Sequence, residues 1–223
     1  MIPLKPLWPL SADSWGKEEI NAALWALISD RLTMGPKVAK FERAFAAMHG
    51  VRRAVMVNSG SSANLIAVAT LFHSGKFRRG DEAIVPAIAW ATTYAPLQQF
   101  GLKLKVVDVD LETLNADPLE LEKALTPRTR LLVGVSILGN PAALEYMRRF
   151  ADARGLSFLE DNCESLGAKV SDGENKTRLA GSFGHIATFS SFFSHHINTI
   201  EGGMLLTDSD AYADIALCLR AHG

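Results

Sequence analysis

The sequence is poor in cysteine and has almost no excess charge, and both features narrow the class of protein. Its 223 residues include two cysteines, Cys163 and Cys218, too few for a disulfide framework and not arranged as CxxC. We therefore expect a reducing, cytoplasmic location. The 23 basic and 24 acidic side chains leave a formal net charge of −1. Without basic runs, the chain has no electrostatic basis for binding nucleic acid or an anionic membrane.

Long hydrophobic runs are also missing. No stretch reaches the roughly 18 consecutive apolar residues that a membrane-spanning helix needs. Three prolines interrupt the first ten residues, so these residues do not resemble the apolar core of a signal peptide. The composition, 48% hydrophobic and 21% charged, is that of an ordinary globular protein. We expect no membrane association and a small molecule as the partner.

Short apolar runs alternate with amphipathic helical patterns along most of the chain. The predicted strands are Ala54–Val57, Ala83–Pro86, Leu104–Val107, Leu131–Val135, Ser157–Leu159, Ile186–Ser190 and Met204–Leu206. The predicted helices are Ser14–Ser29, Val38–Met48, Ser62–Phe72, Ala91–Phe100, Pro118–Leu125, Ala142–Ala153 and Asp210–Arg220. Residues 171–177 read as a polar turn. The alternation predicts an α/β fold whose mostly parallel sheet is covered by helices on both faces, with ligands at the carboxyl ends of the strands.

A run of small residues, Asn58–Asn64, lies between a predicted strand and a predicted helix. Backbone N–H groups at a helix N-terminus, with serine hydroxyls beside them, form a site for a phosphate. The same residues serve equally well as a plain helix cap. Both interpretations remain open from these residues alone.

Carboxylates follow the predicted strand Ser157–Leu159, in the segment Glu160-Asp161-Asn162-Cys163-Glu164. Carboxylates at the carboxyl end of a strand are placed to meet a ligand cation or a metal ion. A solvated loop or a helix cap explains them at least as well. Because no histidine or aspartate cluster with ligand spacing accompanies them, we predict no metal site.

Two further features bear on chemistry. His195 and His196 are adjacent, and on an extended segment their side chains would point to opposite sides, so at most one would face a site. A histidine titrates near neutral pH and suits proton transfer, although one core and one surface histidine is the plainer interpretation.

Trp90, after the strand Ala83–Pro86, is either a stacking platform for a planar cofactor or a core residue. The paired Gly202 and Gly203 predict a tight turn or a close backbone approach.

Five segments occur in the order and approximate spacing of a known family. They are Met34-Gly35, Asn58–Asn64, Pro86–Trp90, Glu160-Asp161 and Thr199–Gly203. In these segments the chain resembles the DegT/DnrJ/StrS sugar aminotransferases, from about Ser14 to its last residue. The resemblance implies a pyridoxal-phosphate-dependent transferase fold of type I, like that of aspartate aminotransferase, in a homodimer that acts on nucleotide-linked keto sugars.

His195 departs from the pattern of that family. The family has a lysine six residues before the glutamate of the segment Glu201-Gly202-Gly203, whereas this chain has His195 there and no lysine after Lys176. An imidazole cannot form a Schiff base with the cofactor aldehyde. The exchange is typical of a subgroup, the sugar 3-dehydratases that use pyridoxamine phosphate and glutamate as amino donor. It implies removal of the C3 hydroxyl from a nucleotide-linked 4-keto-6-deoxy sugar, with GDP-4-keto-6-deoxymannose favoured, in the deoxysugar biosynthesis that supplies lipopolysaccharide O-antigen.

The resemblance also implies roles for seven positions. His195 would transfer protons, and Asp161 would pair with the pyridinium nitrogen of the cofactor. Trp90 would stack on the pyridine ring, and Glu164 would lie in the same pocket. The cofactor phosphate would be held by Gly60, Ser61 and Ser190.

Several alternatives accompany this interpretation. A related dehydratase that acts on CDP-4-keto-6-deoxyglucose adds a two-iron cluster held by four cysteines, one of them at the position of Cys163, but Cys218 matches none of the others. A relative that has lost the lysine and catalysis would only bind or regulate. A conventional aminotransferase is disfavoured, because Lys169 and Lys176 lie in or near the polar turn and not at the motif position.

The resemblance also gives an expected domain organisation. Residues 1–13 would form an N-terminal arm and residues 14–223 the cofactor-binding large domain. In the family a smaller C-terminal domain follows, so we expect these 223 residues to be an N-terminal portion that holds most of the cofactor site.

Overall fold

The computed structural model describes residues 9–11, 14–29, 31–171 and 177–222. The predicted arm lies mostly outside these residues, as does the centre of the predicted polar turn. Within them the helices are α1 Lys17–Leu27, α2 Pro36–His49, α3 Gly60–His73, α4 Ala91–Gln99, α5 Pro118–Ala124, α6 Leu144–Arg154 and α7 Asp210–Ala221. The strands are β1 Arg53–Val57, β2 Glu82–Pro86, β3 Lys103–Val107, β4 Thr129–Val135, β5 Ser157–Asp161, β6 Lys169–Ser171, β7 Thr177–Leu179, β8 Ile186–Ser190 and β9 Gly203–Thr207.

Seven of these strands form one sheet, in the order β1-β9-β8-β5-β4-β2-β3. The pairs from β8 to β3 are parallel, and β9 is antiparallel to both of its neighbours, β1 and β8. This confirms the predicted mostly parallel sheet. Since β9 reverses direction between them, β1 runs the same way as β8, and the ends of β1, β2, β4, β5 and β8 lie at one edge of the sheet.

Alternate residues of the central strands bury against helices on opposite faces, as the period of two in a strand requires. On one face Val85, Val133 and Leu159 pack with apolar residues of α3, α4 and α7. On the other face Ile84, Leu132 and Phe158 pack with α5 and α6, and a neighbouring cluster joins α2 to β8 and β9. The predicted helix layers on both faces are therefore confirmed.

Local signals explain where several helices begin and end. The Ser59 hydroxyl accepts the Ser62 N–H at 3.1 Å at the start of α3, and the Asp117 carboxylate caps α5 in the same way. Pro36 occupies the first turn of α2, where a missing N–H does no harm. Gly50 ends α2 at φ 67°, a left-handed conformation that favours glycine.

The structure shifts several of the sequence-based boundaries by one to three residues; α2 and α3, for example, begin two residues earlier than predicted, at Pro36 and Gly60. α1 begins at Lys17 and ends at Leu27, several residues inside the predicted range Ser14–Ser29. Strand β5 continues through Asp161, because both carboxylates at its end find partners inside the fold. The predicted turn at residues 171–177 connects a two-stranded antiparallel hairpin, β6 and β7, which is too short and too exposed to show an apolar pattern.

Among the described residues, no helix combines the length and apolar character needed to cross a membrane.

Candidate active site

A cavity of about 530 Å³ opens at the edge where the parallel strands end. Residues just after β1, β2, β4, β5 and β8 line it, which is the place that the strand directions predict for a ligand. The structure brings all seven sequence-predicted positions to this one cavity: Gly60, Ser61, Trp90, Asp161, Glu164, Ser190 and His195.

The N-terminus of α3 forms one end of the cavity. The first amides of a helix have no partner within the helix. At this helix start, the Ser62 N–H donates to the Ser59 hydroxyl and the Ala63 N–H donates to the Ser59 carbonyl. Among the described residues, the N–H groups of Gly60 and Ser61 have no such partner and can bind a ligand. Together with the Ser61 and Ser190 hydroxyls, they can hold a phosphate group.

Close packing explains the glycines around this helix start. A Cβ on Gly60 would lie 2.6 Å from the Ser190 Cβ and 2.9 Å from the Cys163 sulfur. A Cβ on Gly203 would overlap the Ser59 carbonyl. Val57 and Ser190 both pair with Gly203 in the sheet register, so three chain segments converge here. The close backbone approach predicted for the paired glycines is thus found at Gly203.

Asp161, the last residue of β5, presents a buried carboxylate to the cavity. Its Oδ2 accepts hydrogen bonds from Asn64 Nδ2 at 2.9 Å and from the Thr93 hydroxyl at 2.8 Å. Its Oδ1 accepts the Cys163 N–H at 3.2 Å. The carboxylate is therefore held from its protein side and can pair with a cation in the cavity.

Glu160 lies on the opposite face of β5 and is absent from the cavity lining. Its carboxylate accepts the N–H groups of Gly181, Phe183 (3.1 Å) and Gly184 (2.7 Å), and its side chain is fully buried. Burial raises the pKa of Glu160, and the amides of that turn oppose the effect. Of the two adjacent carboxylates in the sequence motif, only Asp161 belongs to the site.

Trp90 and Glu164 lie at the rim of the cavity. Trp90 precedes α4 and is 71% exposed, which rules out the core interpretation of this residue. An exposed indole beside a cavity offers a face to a planar ring. Glu164 accepts the Leu138 N–H at 2.7 Å, and Leu138 has a left-handed φ of 52°. Glu164 thereby fixes the loop after β4, which contributes Ile137 to the cavity wall.

His195 lines the cavity, whereas His196 is exposed. Only one of the two histidines faces the cavity, as predicted, but the segment is a turn and not an extended strand, since the His195 N–H is bonded to the Phe192 carbonyl at 2.9 Å. Burial lowers the pKa of the His195 imidazole from 6.5; the charges of Glu164 and Asp161 raise it and that of His196 lowers it. At neutral pH His195 is therefore uncharged and able to accept a proton.

Thr93 was not singled out from the sequence, and Asn64 was included only as the last residue of the segment Asn58–Asn64. Both hold Asp161, but a threonine or an asparagine near a helix start is most often a cap, so no local signal linked either residue to that carboxylate. The remaining lining residues are Leu10, Ser59, Thr92, Val135, Ser136, Ile137, Cys163, Phe192, Ser194 and Glu201. The described residues contain no cluster of three or more histidine, cysteine or acidic side chains arranged to hold a metal ion.

This sheet order, with its single reversed strand and a cavity built from a helix N-terminus, a buried carboxylate and an exposed indole, defines an aminotransferase-fold protein. The chain belongs to the DegT/DnrJ/EryC1/StrS aminotransferase family, whose sequence model matches residues 13–223. The resemblance drawn from the five sequence segments is thereby confirmed.

The names of individual relatives indicate a narrower class of protein than the family does. The chain is 45% identical over 218 residues to the GDP-4-keto-6-deoxy-D-mannose 3-dehydratase of Yersinia pseudotuberculosis, a match that covers 97% of this chain and 54% of the relative. The Escherichia coli enzyme of the same name, solved with bound hydrated pyridoxal phosphate (PLP), matches with a TM-score of 0.90 at 45% identity over 97% of this chain and 55% of that one.

A further solved GDP-4-keto-6-deoxymannose-3-dehydratase holds a trapped PLP–glutamate geminal diamine. It matches with a TM-score of 0.90 at 44% identity, again covering 97% of this chain and 55% of that chain. The present chain therefore spans about half the length of the relatives that it matches.

Proposed function

We propose that this protein is a pyridoxamine-phosphate-dependent 3-dehydratase that removes the C3 hydroxyl of a nucleotide-linked 4-keto-6-deoxy sugar, with GDP-4-keto-6-deoxymannose as the favoured substrate. One observation carries the proposal: His195 lines the same cavity as Asp161 and the N-terminus of α3, and no lysine lines it among the described residues. Lys169 is exposed on β6, and Lys176 lies outside the described residues. The names of the relatives supply the substrate class.

The cavity fits the cofactor. Its phosphate can be bound by the amides of Gly60 and Ser61 and by the Ser190 hydroxyl. Position 60 has no room for any side chain, so only glycine fits there. The buried carboxylate of Asp161 suits the protonated ring nitrogen, and the exposed indole of Trp90 suits the ring face. When bound, pyridoxamine phosphate supplies an amine for the C4 ketone of the sugar and a ring that accepts electrons.

The residues of this chain then have separate tasks. Asp161, held by Asn64 and Thr93, keeps a positive charge at the ring nitrogen and so favours electron flow toward it. The neutral imidazole of His195 would accept, at an unprotonated ring nitrogen, the proton lost from the amine-bearing carbon of the bound cofactor. It would then donate that proton to the C3 oxygen, so that the hydroxyl leaves as water. Glutamate is the proposed amino donor, as the glutamate adduct of the solved relative suggests.

The test is release of ammonia by the purified protein, supplied with pyridoxal phosphate, glutamate and GDP-4-keto-6-deoxymannose. We expect turnover in the wild type and a loss of about a thousandfold in His195→Asn, since general acid–base groups contribute roughly 10²–10⁴-fold. His196→Asn, a change at the exposed neighbour, is the matched control and should retain turnover. Absence of ammonia in the wild type, or full turnover in His195→Asn, contradicts the proposal.

Two further arms address the alternatives. Turnover of CDP-4-keto-6-deoxyglucose in place of the GDP-sugar would indicate the iron–sulfur relative, and transfer of the amino group to the sugar would indicate an aminotransferase. The pH profile tests the role of His195: because its pKa lies below 6.5, we expect kcat/KM to be constant at neutral pH and to fall only at lower pH.

The homodimer, the cytoplasmic location and the division into an arm and a large domain stay predictions. Sedimentation velocity tests the first. Among the described residues, α1 buries none of its side chains and exposes Leu24, Trp25 and Leu27, which supports an apolar contact with another surface in the assembled protein.

A further inference from the structure

The two oxygens of Asp161 have unequal surroundings. Oδ2 accepts two side-chain hydrogen bonds, from Asn64 Nδ2 and the Thr93 hydroxyl, whereas Oδ1 accepts the longer bond from the Cys163 amide. Asp161 is 4% exposed, and Asn64 and Thr93 are each 1% exposed. Because water has little access to Oδ2, these protein donors fix the direction in which the carboxylate faces the cavity.

Thr188 extends this arrangement one residue further from the cavity. It lies on β8 directly opposite Asp161 in the parallel register, is fully buried and is absent from the cavity lining. Its hydroxyl donates to Asn64 Oδ1 at 2.6 Å, a much shorter distance than the 3.5 Å to the Glu160 carbonyl. The hydrogen bond therefore goes to Asn64.

The amide of Asn64 has a donor end and an acceptor end of nearly the same shape. With Oδ1 held by the Thr188 hydroxyl, Nδ2 is the end that faces Asp161. If the amide turned over, its oxygen would face Asp161 Oδ2, which would keep only the Thr93 hydroxyl as a donor, and the amide oxygen would lose its bond from the Thr188 hydroxyl. Nδ2 also reaches the Thr92 carbonyl, at 3.5 Å, and the Thr188 hydroxyl is the group that holds the oxygen end of the amide in the same orientation.

We propose that Thr188 is a positioning residue for Asp161: by fixing the amide of Asn64, it holds the carboxylate in the direction that pairs with the ring nitrogen of the cofactor. This inference rests on the proposed function, because the proposed cofactor supplies the cation that Asp161 faces. It gives a role in cofactor recognition to a residue that touches neither cofactor nor substrate.

The test measures binding of two ligands by absorbance titration of the cofactor-free protein. One is pyridoxal phosphate, and the other is its deaza analogue, in which a C–H group replaces the ring nitrogen. Thr188→Val removes the hydroxyl and keeps the shape of the side chain. We expect it to weaken binding of pyridoxal phosphate about tenfold, the size of the effect of one buried hydrogen bond, and to leave binding of the analogue within about twofold of wild type.

Three other variants act as controls. Thr188→Ser retains the hydroxyl and should restore the affinity for pyridoxal phosphate. Thr70→Val makes the same substitution at another fully buried threonine, whose hydroxyl has no partner in the described residues, and should change neither affinity. Asn64→Ala removes the same contact at its other end, so the test does not depend on the folding of Thr188→Val alone. The double variant Thr188→Val/Asn64→Ala should bind no more weakly than Asn64→Ala.

The outcomes separate the two proposals. If the wild type binds pyridoxal phosphate and Thr188→Val binds it equally well, the role of Thr188 is refuted while the proposed function stands. An equal loss for both ligands shows a purely structural threonine and also overturns the inference. If the wild type binds neither ligand, the proposed function fails and this inference fails with it. Loss for pyridoxal phosphate alone, restored by Thr188→Ser, supports it.

Discussion

Glu160 and Asp161 are consecutive residues at the end of β5, yet their carboxylates have different surroundings. On what we term the turn side, Glu160 is fully buried and accepts backbone N–H groups from residues 181–184. On the cavity side, Asp161 accepts side-chain donors and borders a cavity of about 530 Å³. The strand places one carboxylate on each face because successive side chains alternate.

One sequence motif thus contains a structural carboxylate, Glu160, and a carboxylate that faces the cavity, Asp161. A carboxylate that is satisfied by backbone amides holds a turn together and has no capacity left for a ligand. A carboxylate that is held by side chains at a strand end keeps an oxygen toward the cavity, where it can meet a charged group. Substitutions on the two sides should therefore separate stability from activity.

Asp161→Asn should have the largest effect. It removes the charge that faces the cavity while it keeps the shape of the side chain, and loss of a preorganised charge of this kind lowers turnover by about a thousandfold. We expect a smaller loss of stability than in Glu160→Ala, because the asparagine oxygen can still accept from Asn64 and Thr93 and only the Cys163 amide loses its acceptor. The measurement is steady-state ammonia release with the GDP-sugar, with Asp214→Asn on the exposed face of α7 as a control that should retain turnover. Turnover within tenfold of wild type would show that the cavity does not need the charge of Asp161.

Glu160→Ala should have the next largest effect, on stability. It leaves buried N–H groups of residues 181–184 without an acceptor, which costs about 3 kcal/mol of the free energy of unfolding. Chemical denaturation of the cofactor-free protein measures this value. If Glu160→Ala is as stable as wild type, the turn does not depend on this carboxylate. The turn side would then not differ from the cavity side by its contribution to stability.

Gly60→Ala tests the close packing at the start of α3 on the cavity side. The new methyl would meet the Ser190 Cβ at 2.6 Å and the Cys163 sulfur at 2.9 Å, so the start of α3 must shift away from its place in the phosphate site. We expect affinity for pyridoxal phosphate to fall about tenfold, an effect of roughly 1.4 kcal/mol. Gly75→Ala is a control for backbone strain alone: the φ of 74° at Gly75 disfavours an alanine, but open space surrounds this glycine and it is absent from the cavity lining, so affinity should be unchanged. Wild-type affinity in Gly60→Ala would contradict the packing argument.

The smallest predicted effect is the response of the turn side to acid. His49 is buried between Phe45 and Phe189, next to Gly181, and its Nε2 has no hydrogen-bond partner in the described residues. Burial lowers the pKa of His49 below 6.5, opposed by its bond to the Phe45 carbonyl. The unfolded chain therefore takes up a proton before the folded protein does, so stability is fully present above pH 6.5 and is lost as the pH falls.

The measurement is the free energy of unfolding at pH 7.5 and pH 5.5 for the wild type and for His49→Phe. We expect the wild type to lose about 1 kcal/mol more than the variant over this range, since a single group contributes at most about 1.4 kcal/mol per pH unit. His185, whose pKa burial also lowers, is present in both proteins and cancels in the difference. Equal losses in the two proteins would mean that His49 is not the acid-sensitive group.

Much of this arrangement was predictable from the sequence. Short continuous apolar runs alternate with amphipathic helical patterns along the chain, and this order predicted the mostly parallel sheet. A strand that is buried on both faces needs such a continuous apolar run. Gly60, Asp161 and His195 were all expected to follow strands that end at one edge, and the cavity contains all three. The short hairpin of β6 and β7 was missed, since three exposed residues carry no periodicity.

The fold class, the family and the replacement of the family lysine by His195 could be read from the amino-acid sequence, because they depend on local patterns and on residue types at fixed spacing. Which carboxylate of Glu160-Asp161 faces the cavity, and which residues hold it, depends on how the chain folds. Asn64, Thr93 and Thr188 are separated from Asp161 by 97, 68 and 27 positions in the chain. Contacts over such distances arise only when helix and strand pack together, so no spacing rule along one chain can reveal them.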